Sequence, residues 1–308
     1  MRRAFATTLV ELAAEDDRVV LLTGDLGYTV LEPFAEAHPS RFFNAGVAEQ
    51  NMVGLATGLA ESGFIPFVYS IATFASLRPY EFIRNGPALH ELPVRIVGVG
   101  GGFDYGHNGV SHYALEDIAL MRVQPGMSVV APADPDQTRA ALAAIWDTPG
   151  PLYLRLGRES KSVPGLGGHF ESGRLSMIGG GEDVLFVTLG TMAREAVGAA
   201  ELLSQQGIAA SVAVVASVSP SPEDHLADLL SRVPLAVSLE AHYTVGGVGS
   251  LVAEVIAERG LGCRLIRQGV RSMPRGDTGG EEYLYARHGL SRDAVAGTVV
   301  QALSLADR

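Results

Sequence analysis

Short apolar runs that end in turn residues alternate with helix-period segments along this chain, and that alternation limits the folds open to it. Runs at 19–23, 64–69, 94–99, 128–131 and 152–156 read as strands, and helical patterns fall at 5–14, 47–62, 77–88 and 135–145. Continuous apolar strands separated by amphipathic helices predict βα units and a mostly parallel sheet covered on both faces. The rhythm breaks at 159–182, where Glu159-Ser160-Lys161-Ser162-Val163-Pro164-Gly165 is followed by Ile178-Gly179-Gly180-Gly181. Such breaker-rich sequence reads as a connection between domains. A second alternating set follows, with strands expected at 184–189, 211–216, 236–239 and 263–266 and helices at 191–206, 223–231 and 249–260. The expectation is an α/β protein of two three-layer domains with mostly parallel sheets, spanning 1–165 and 183–308 and joined by a linker at 166–182.

Composition narrows the partners. Hydrophobic residues make up 47% of the 308 and charged residues 19%, enough to bury a sizeable core. The net charge of −11, with no long basic run, makes nucleic acid and anionic membrane surfaces poor partners. The single cysteine, Cys263, opens an apolar stretch and reads as a core residue; with no second thiol, a reducing, cytoplasmic setting is expected. No signal-peptide pattern or membrane-length apolar run is evident. The turn Gly246-Gly247-Val248-Gly249-Ser250 opens a helical pattern, where it can receive an anion or simply let the chain pack closely.

One acid stands out. Glu49 lies in Val47-Ala48-Glu49-Gln50-Asn51-Met52-Val53-Gly54-Leu55-Ala56, a segment with so few charges that the helix is expected to be buried. No Lys or Arg lies within helical reach of it. A carboxylate there is costly unless something binds it. Backbone donors or a subunit contact would satisfy it; so would a ligand, and a dry, proton-sharing carboxyl suits hydrogen bonding to a heterocyclic ring nitrogen.

The words Asn44-Ala45-Gly46-Val47-Ala48-Glu49-Gln50-Asn51 resemble the segment of the transketolase family that carries the cofactor-activating glutamate. The resemblance implies that Glu49 contacts the aminopyrimidine of thiamine diphosphate and drives it to the imino form that deprotonates the thiazolium carbon. It covers nearly the whole chain, in the order pyrimidine-binding domain then C-terminal domain. In Tyr69-Ser70-Ile71-Ala72-Thr73-Phe74-Ala75-Ser76-Leu77-Arg78-Pro79-Tyr80, Phe74 and Tyr80 match family aromatics that pack around the pyrimidine, and Leu77 takes the middle place. Asn108-Gly109-Val110-Ser111-His112 resembles the loop whose histidine, here His112, reaches the donor oxygen beside the thiazolium. Arg158 matches a phosphate-contacting arginine, Arg2 lies near a second, and Asp25 matches an acid at the first strand end near the cofactor. Glu116 and Asp117 are expected to charge the first turn of the next helix.

Departures from the family are equally informative. Asn108 stands where sugar-metabolising members carry an acid, and the upstream loop lacks a clear counterpart of a further histidine. Both changes argue against an ordinary sugar-phosphate substrate while leaving the chemistry intact. The Gly-Asp-Gly and asparagine that hold the diphosphate and its Mg2+ or Ca2+ have no counterpart in this sequence. The resemblance therefore implies the C-terminal subunit of a split enzyme, transferring a short, two-carbon ketol or acyl unit. An N-terminal subunit would supply diphosphate and metal ligands in an α2β2 heterotetramer. The β subunit of a 2-oxoacid dehydrogenase shares the domain order and the glutamate, and a non-catalytic scaffold of the same fold is the third reading.

Overall fold

The computed structural model describes residues 1–158 and 160–306. Two sheets organise it. The chain lays down strands β1 (Val19–Thr23), β2 (Phe42–Asn44), β3 (Ile65–Ile71), β4 (Arg95–Val99), β5 (Ser128–Val130), β6 (Leu152–Leu156), β7 (Ser176–Ile178), β8 (Val184–Thr188), β9 (Ala210–Val214), β10 (Ser217–Ser219), β11 (Leu235–Tyr243) and β12 (Arg264–Val270). The first sheet has the order β10-β5-β6-β4-β3-β1-β2 and the second β12-β11-β8-β9-β7. Pairing is parallel except at two edges, where β10 lies antiparallel to β5 and β7 antiparallel to β9. The α/β class with mostly parallel sheets is thus as the alternation predicted.

Helices α1 (Arg2–Glu15), α2 (Glu32–Ala37), α3 (Glu49–Glu61), α4 (Ala72–Leu77), α5 (Tyr80–Ile83), α6 (Asp117–Arg122) and α7 (Pro135–Ile145) belong with the first sheet; α8 (Ala193–Ser204), α9 (Glu223–Arg232), α10 (Val248–Arg259), α11 (Glu281–Arg287) and α12 (Arg292–Ala306) follow. Strand β1 shows why its run is apolar throughout. Val19 and Leu21 point to the side packed by Phe5 and Leu9 of α1, whereas Val20 and Leu22 meet Met52 and Val53 of α3. Both faces are covered, so neither set is polar. Helix α7 begins where its caps dictate: the Asp134 carboxylate accepts the Gln137 N–H at 2.8 Å, and Pro135 takes the first turn.

Four features differ from the sequence reading. Helix α3 is buried on one face only: Met52, Val53, Ala56 and Ala60 are buried, whereas Leu55, and Val47 just ahead of the helix, are exposed. The helix expected over 77–88 is broken into α4, α5 and a π turn, Arg84–Ala88, since Pro79 and Pro87 interrupt regular bonding. Strand β10 leaves the second unit in sequence to cap an edge of the first sheet, a long-range pairing that local pattern does not encode. Strand β7 lies inside the segment read as a connection and pairs with the second sheet.

Buried polar contacts join the two sheets. Arg155 on β6 donates to Asp117 Oδ2 at 2.9 Å and to the carbonyls of Ala114 and Ala241 at 2.9 and 3.1 Å. Tyr153 donates to the same Asp117 oxygen at 2.7 Å. Asp117 therefore does more than charge a first turn: it anchors Arg155, and both are buried. The glycine turn before α10 does receive an anion, the chain's own. Glu240 accepts from the N–H groups of Val248 and Gly249 at 2.8 and 2.9 Å, and burial, working against those donors, pushes its carboxyl up to about 7. A Cβ on Gly247 would collide with Glu240 Oε2, so glycine is what lets the carboxylate approach. Among the described residues no helix is long and apolar enough to cross a membrane.

This arrangement predicts that Gly247→Ala lowers unfolding free energy by about 1–3 kcal/mol through overpacking. Gly262→Ala, where a Cβ meets nothing within 4 Å, stays within about 0.5 kcal/mol of the parent. Denaturant unfolding of the two variants checks the contrast.

Candidate active site

Because β1, β2, β3, β4 and β6 run parallel, their carboxyl ends line one edge, and the segments leaving them carry the candidate residues. That is where an open α/β sheet leaves a crevice. Asp25 follows β1, Glu49 follows β2, Ser70 and Phe74 lie at the end of β3 and in α4, His112 is in the loop after β4, and Arg158 follows β6.

Glu49 is the first residue of α3 and is 2% exposed. Ser70 Oγ donates to its Oε1 at 3.0 Å, and Arg78 Nη1 donates to its Oε2 at 2.9 Å. The counter-charge that α3 itself does not supply thus comes from beyond β3. An open cleft of about 500 Å3 adjoins this pair, lined by Val47, Ala48, Glu49, Gln50, Asn51 and Arg78.

From Glu49 the contacts continue in a line. The Arg78 guanidinium carbon lies 3.9 Å from the Phe74 ring centroid, a cation–π arrangement. Phe74 meets His112 edge-on, centroids 5.1 Å apart, and His112 lies 6.3 Å from Tyr105. Ser111 Oγ is 3.1 Å from His112 Nδ1. Arg158 lies over the Tyr105 ring at 4.7 Å, with its Nη1 donating to the Asp104 carbonyl at 3.0 Å. Burial raises the Tyr105 hydroxyl above its ordinary range, while the positive charges of Arg158 and Arg2 pull it back. Glu49, Phe74 and His112 therefore share one connected group, with Arg158 and Arg2 gathered around Tyr105 at its end.

The remaining candidates sit differently. Tyr80 donates its hydroxyl to the Leu120 carbonyl at 3.0 Å, directed to α6 rather than to the cleft. Leu77 is exposed on α4, and Asn108 is exposed on a 3-10 turn. Asp25 has a left-handed φ of 58° and is held by Asn44 Nδ2 at 3.0 Å and the Tyr28 hydroxyl at 3.0 Å. Those two bonds, Asn44 first, hold its carboxyl below the usual range. Four participants escaped sequence reading: Ser70, Arg78, Tyr105 and Asp104. Arg78 carried a signal, as the one cation in the segment 69–80.

Asp104 links this group to the second unit. Its carboxyl accepts the Arg158 N–H at 2.6 Å and hydrogen-bonds the Glu281 side chain. The Tyr285 hydroxyl donates to Glu281 Oε1 at 2.5 Å. Burial first, then the neighbouring Glu281 carboxyl, holds Asp104 well above the usual carboxylate range.

The family described as transketolase, pyrimidine binding domain, matches residues 1–162, and that described as transketolase, C-terminal domain, matches residues 173–295. The fold superposes with a TM-score of 0.87 on a structure titled split gene transketolase, inactive beta4 tetramer, at 39% identity, covering 99% of this chain and 98% of that one. The 6-deoxy-6-sulfo-D-fructose transketolase subunit SqwH of Clostridium sp. (strain MSTE9) is 36% identical over 94% of this chain and 90% of its own length. An apulose-4-phosphate transketolase subunit of Phocaeicola vulgatus is 32% identical over 97% of this chain and 96% of its own.

The raised Asp104 carboxyl sets the sign of a pH effect. An acid raised by folding contributes stability below its unfolded pKa and loses it as pH climbs through the folded value. Asp104→Asn, which keeps a hydrogen-bonding group without the charge, is predicted to gain thermal stability over the parent at pH 8, with the gap closing toward pH 4. Thermal unfolding across that range is the check, and a gap that does not vary with pH contradicts it.

Proposed function

The chain belongs to the transketolase family, and from that premise we propose that it is one subunit of a split, thiamine-diphosphate-dependent enzyme that transfers a short ketol unit. The observation that carries this reading is the Glu49 carboxyl, 2% exposed yet at the rim of a cleft of about 500 Å3. A flat aminopyrimidine needs a dry acid on a ring nitrogen and an aromatic wall, and Glu49 with Phe74 offers both. When bound, the coenzyme supplies carbanion-stabilising chemistry.

The roles of this chain's residues follow from their surroundings. Ser70 fixes Oε1 of Glu49, and Oε2, which accepts from Arg78 at 2.9 Å, is the oxygen assigned to the ring nitrogen. Phe74 walls the heterocycle, with Leu77 and the Tyr80 ring beyond it. His112, oriented by Ser111 and the Phe74 edge, exchanges a proton at the donor's reacting oxygen. Arg158 and Arg2 fix a distal anion, phosphate or another of like charge. Asn108 reads a substrate hydroxyl where family members use an acid, and Asp25 supports the cofactor end of β1.

A partner completes the site in this reading. Two relatives are named as transketolase subunits, which supports a two-polypeptide enzyme. Val47 at the cleft, Leu55 on α3 and Phe82 on α5, 70%, 44% and 42% exposed, are apolar residues that suit a second chain. We assign the diphosphate and its Mg2+ or Ca2+ to an N-terminal subunit, in an α2β2 assembly.

The test is reconstitution with a partner carrying Gly-Asp-Gly, assayed with aldehyde acceptors and, separately, with a lipoyl domain. Ketol transfer to the aldehyde is expected. Glu49→Gln is predicted to lose turnover by roughly 10²-fold or more, with assembly retained, and His112→Ala to lower kcat by roughly 10²-fold. Near-parental activity in Glu49→Gln, measured at equal complex concentration, overturns the assignment.

A further inference from the structure

Arg78 has no task in the chemistry just described, yet it occupies the centre of the site. Its guanidinium donates to Glu49 Oε2 at 2.9 Å and lies 3.9 Å over the Phe74 ring. These are the two surfaces assigned to the aminopyrimidine: the carboxyl oxygen that Ser70 does not hold, and the aromatic wall. A guanidinium is planar, cationic and edged with N–H donors, so it satisfies a carboxylate and an aromatic face in the manner of a flat N-heterocycle.

We propose that Arg78 is a placeholder, filling the heterocycle's slot in the cofactor-free chain and neutralising Glu49 until the coenzyme displaces it. This deepens the thiamine diphosphate reading and rests on it. The asymmetry of the pair gives the device its direction. Glu49 is 2% exposed and is left charged in dry surroundings if its partner departs alone. Arg78 is 43% exposed, so its head group can swing into water on its flexible stem and regain hydration. Its position between α4 and Pro79, at the rim of the cleft, lets this happen by side-chain rotation alone. The carboxyl is thus never both dry and unpartnered: arginine holds it in the empty subunit, the ring nitrogen in the loaded one. Because a contact made only in the empty state lowers the apparent affinity of whatever must replace it, the placeholder weakens coenzyme binding by the share of time it fills the slot.

Two readouts test this, neither of them turnover. Calorimetric titration of the reconstituted complex with thiamine diphosphate and Mg2+ compares the parent with Arg78→Met and Arg78→Lys. Removing the cation is expected to tighten binding roughly 5- to 10-fold, whereas lysine, which keeps it, stays near the parent. Thermal unfolding of the full chain alone, without coenzyme, supplies the second. Arg78→Met is expected to lower the midpoint by roughly 2–5 °C, and to leave it unchanged in a Glu49→Gln background, where no charge needs neutralising. Weaker or equal coenzyme binding by Arg78→Met, with the parent binding normally, overturns the placeholder and makes Arg78 a coenzyme contact or a bystander. A midpoint drop that persists in the Glu49→Gln background also overturns it. If the parent complex binds no coenzyme at all, the thiamine diphosphate reading falls and this one with it.

Discussion

A carboxylate shut away from water must find partners, and Glu49 organises its surroundings by that need. The first turn of α3 is seated by Met52, Val53 and Ala56 against the first sheet, which carries the Glu49 side chain inward whatever its charge. Parallel strands then bring the answer: β3 delivers Ser70 to one carboxylate oxygen, and the helical turn beyond it delivers Arg78 to the other. Phe74, on the same turn, lies under that arginine and touches the histidine loop. One buried acid, satisfied from two segments of chain, thus gathers the groups that the proposed chemistry employs.

The loop carrying His112 is held by a second layer of polar contacts across the two sheets. Arg155 and Asp117 pin its far end against the carbonyls of Ala114 and Ala241, and Asp104 with Glu281 pins its near end to α11. Buried pairs of this kind are costly to break one side at a time, so they fix geometry more than they add net stability. Tyr113 donates to the backbone at Asp277, another tie between the loop and the second unit. The second unit therefore contributes to the site by bracing the loop on which the candidate proton-exchanging group sits.

How much of this was legible in the sequence depends on how local each signal is. Strands 19–23 and 152–156 and the capped helix 135–145 were readable to the residue, because both strand faces are covered and Asp134-Pro135 marks the helix start. Glu49 was readable as an acid out of place. Its pairing with Arg78 was not, since helical spacing reports neighbours along α3 and the partner lies 29 positions away on another element. Glu240 was hidden for the same reason: it sits within an apolar strand, and its reason for being there is a glycine turn whose backbone donors face it only after folding. Edge strand β10 follows from neither period nor turn chemistry, because the sheet it joins was built much earlier in the chain. The half-exposed face of α3 was not legible either, because the periodicity of 47–62 marks apolar residues without showing which of them the chain covers.

The central claim is that the Glu49 carboxyl activates a thiamine coenzyme, and it can be tested before any substrate is known. In the reconstituted complex, the exchange of the coenzyme's acidic ring proton with deuterium can be followed by rapid-quench NMR. The account predicts that the parent complex accelerates this exchange far above free thiamine diphosphate, and that Glu49→Gln returns it close to the free rate while still binding the coenzyme. Equal acceleration by the two proteins would contradict it.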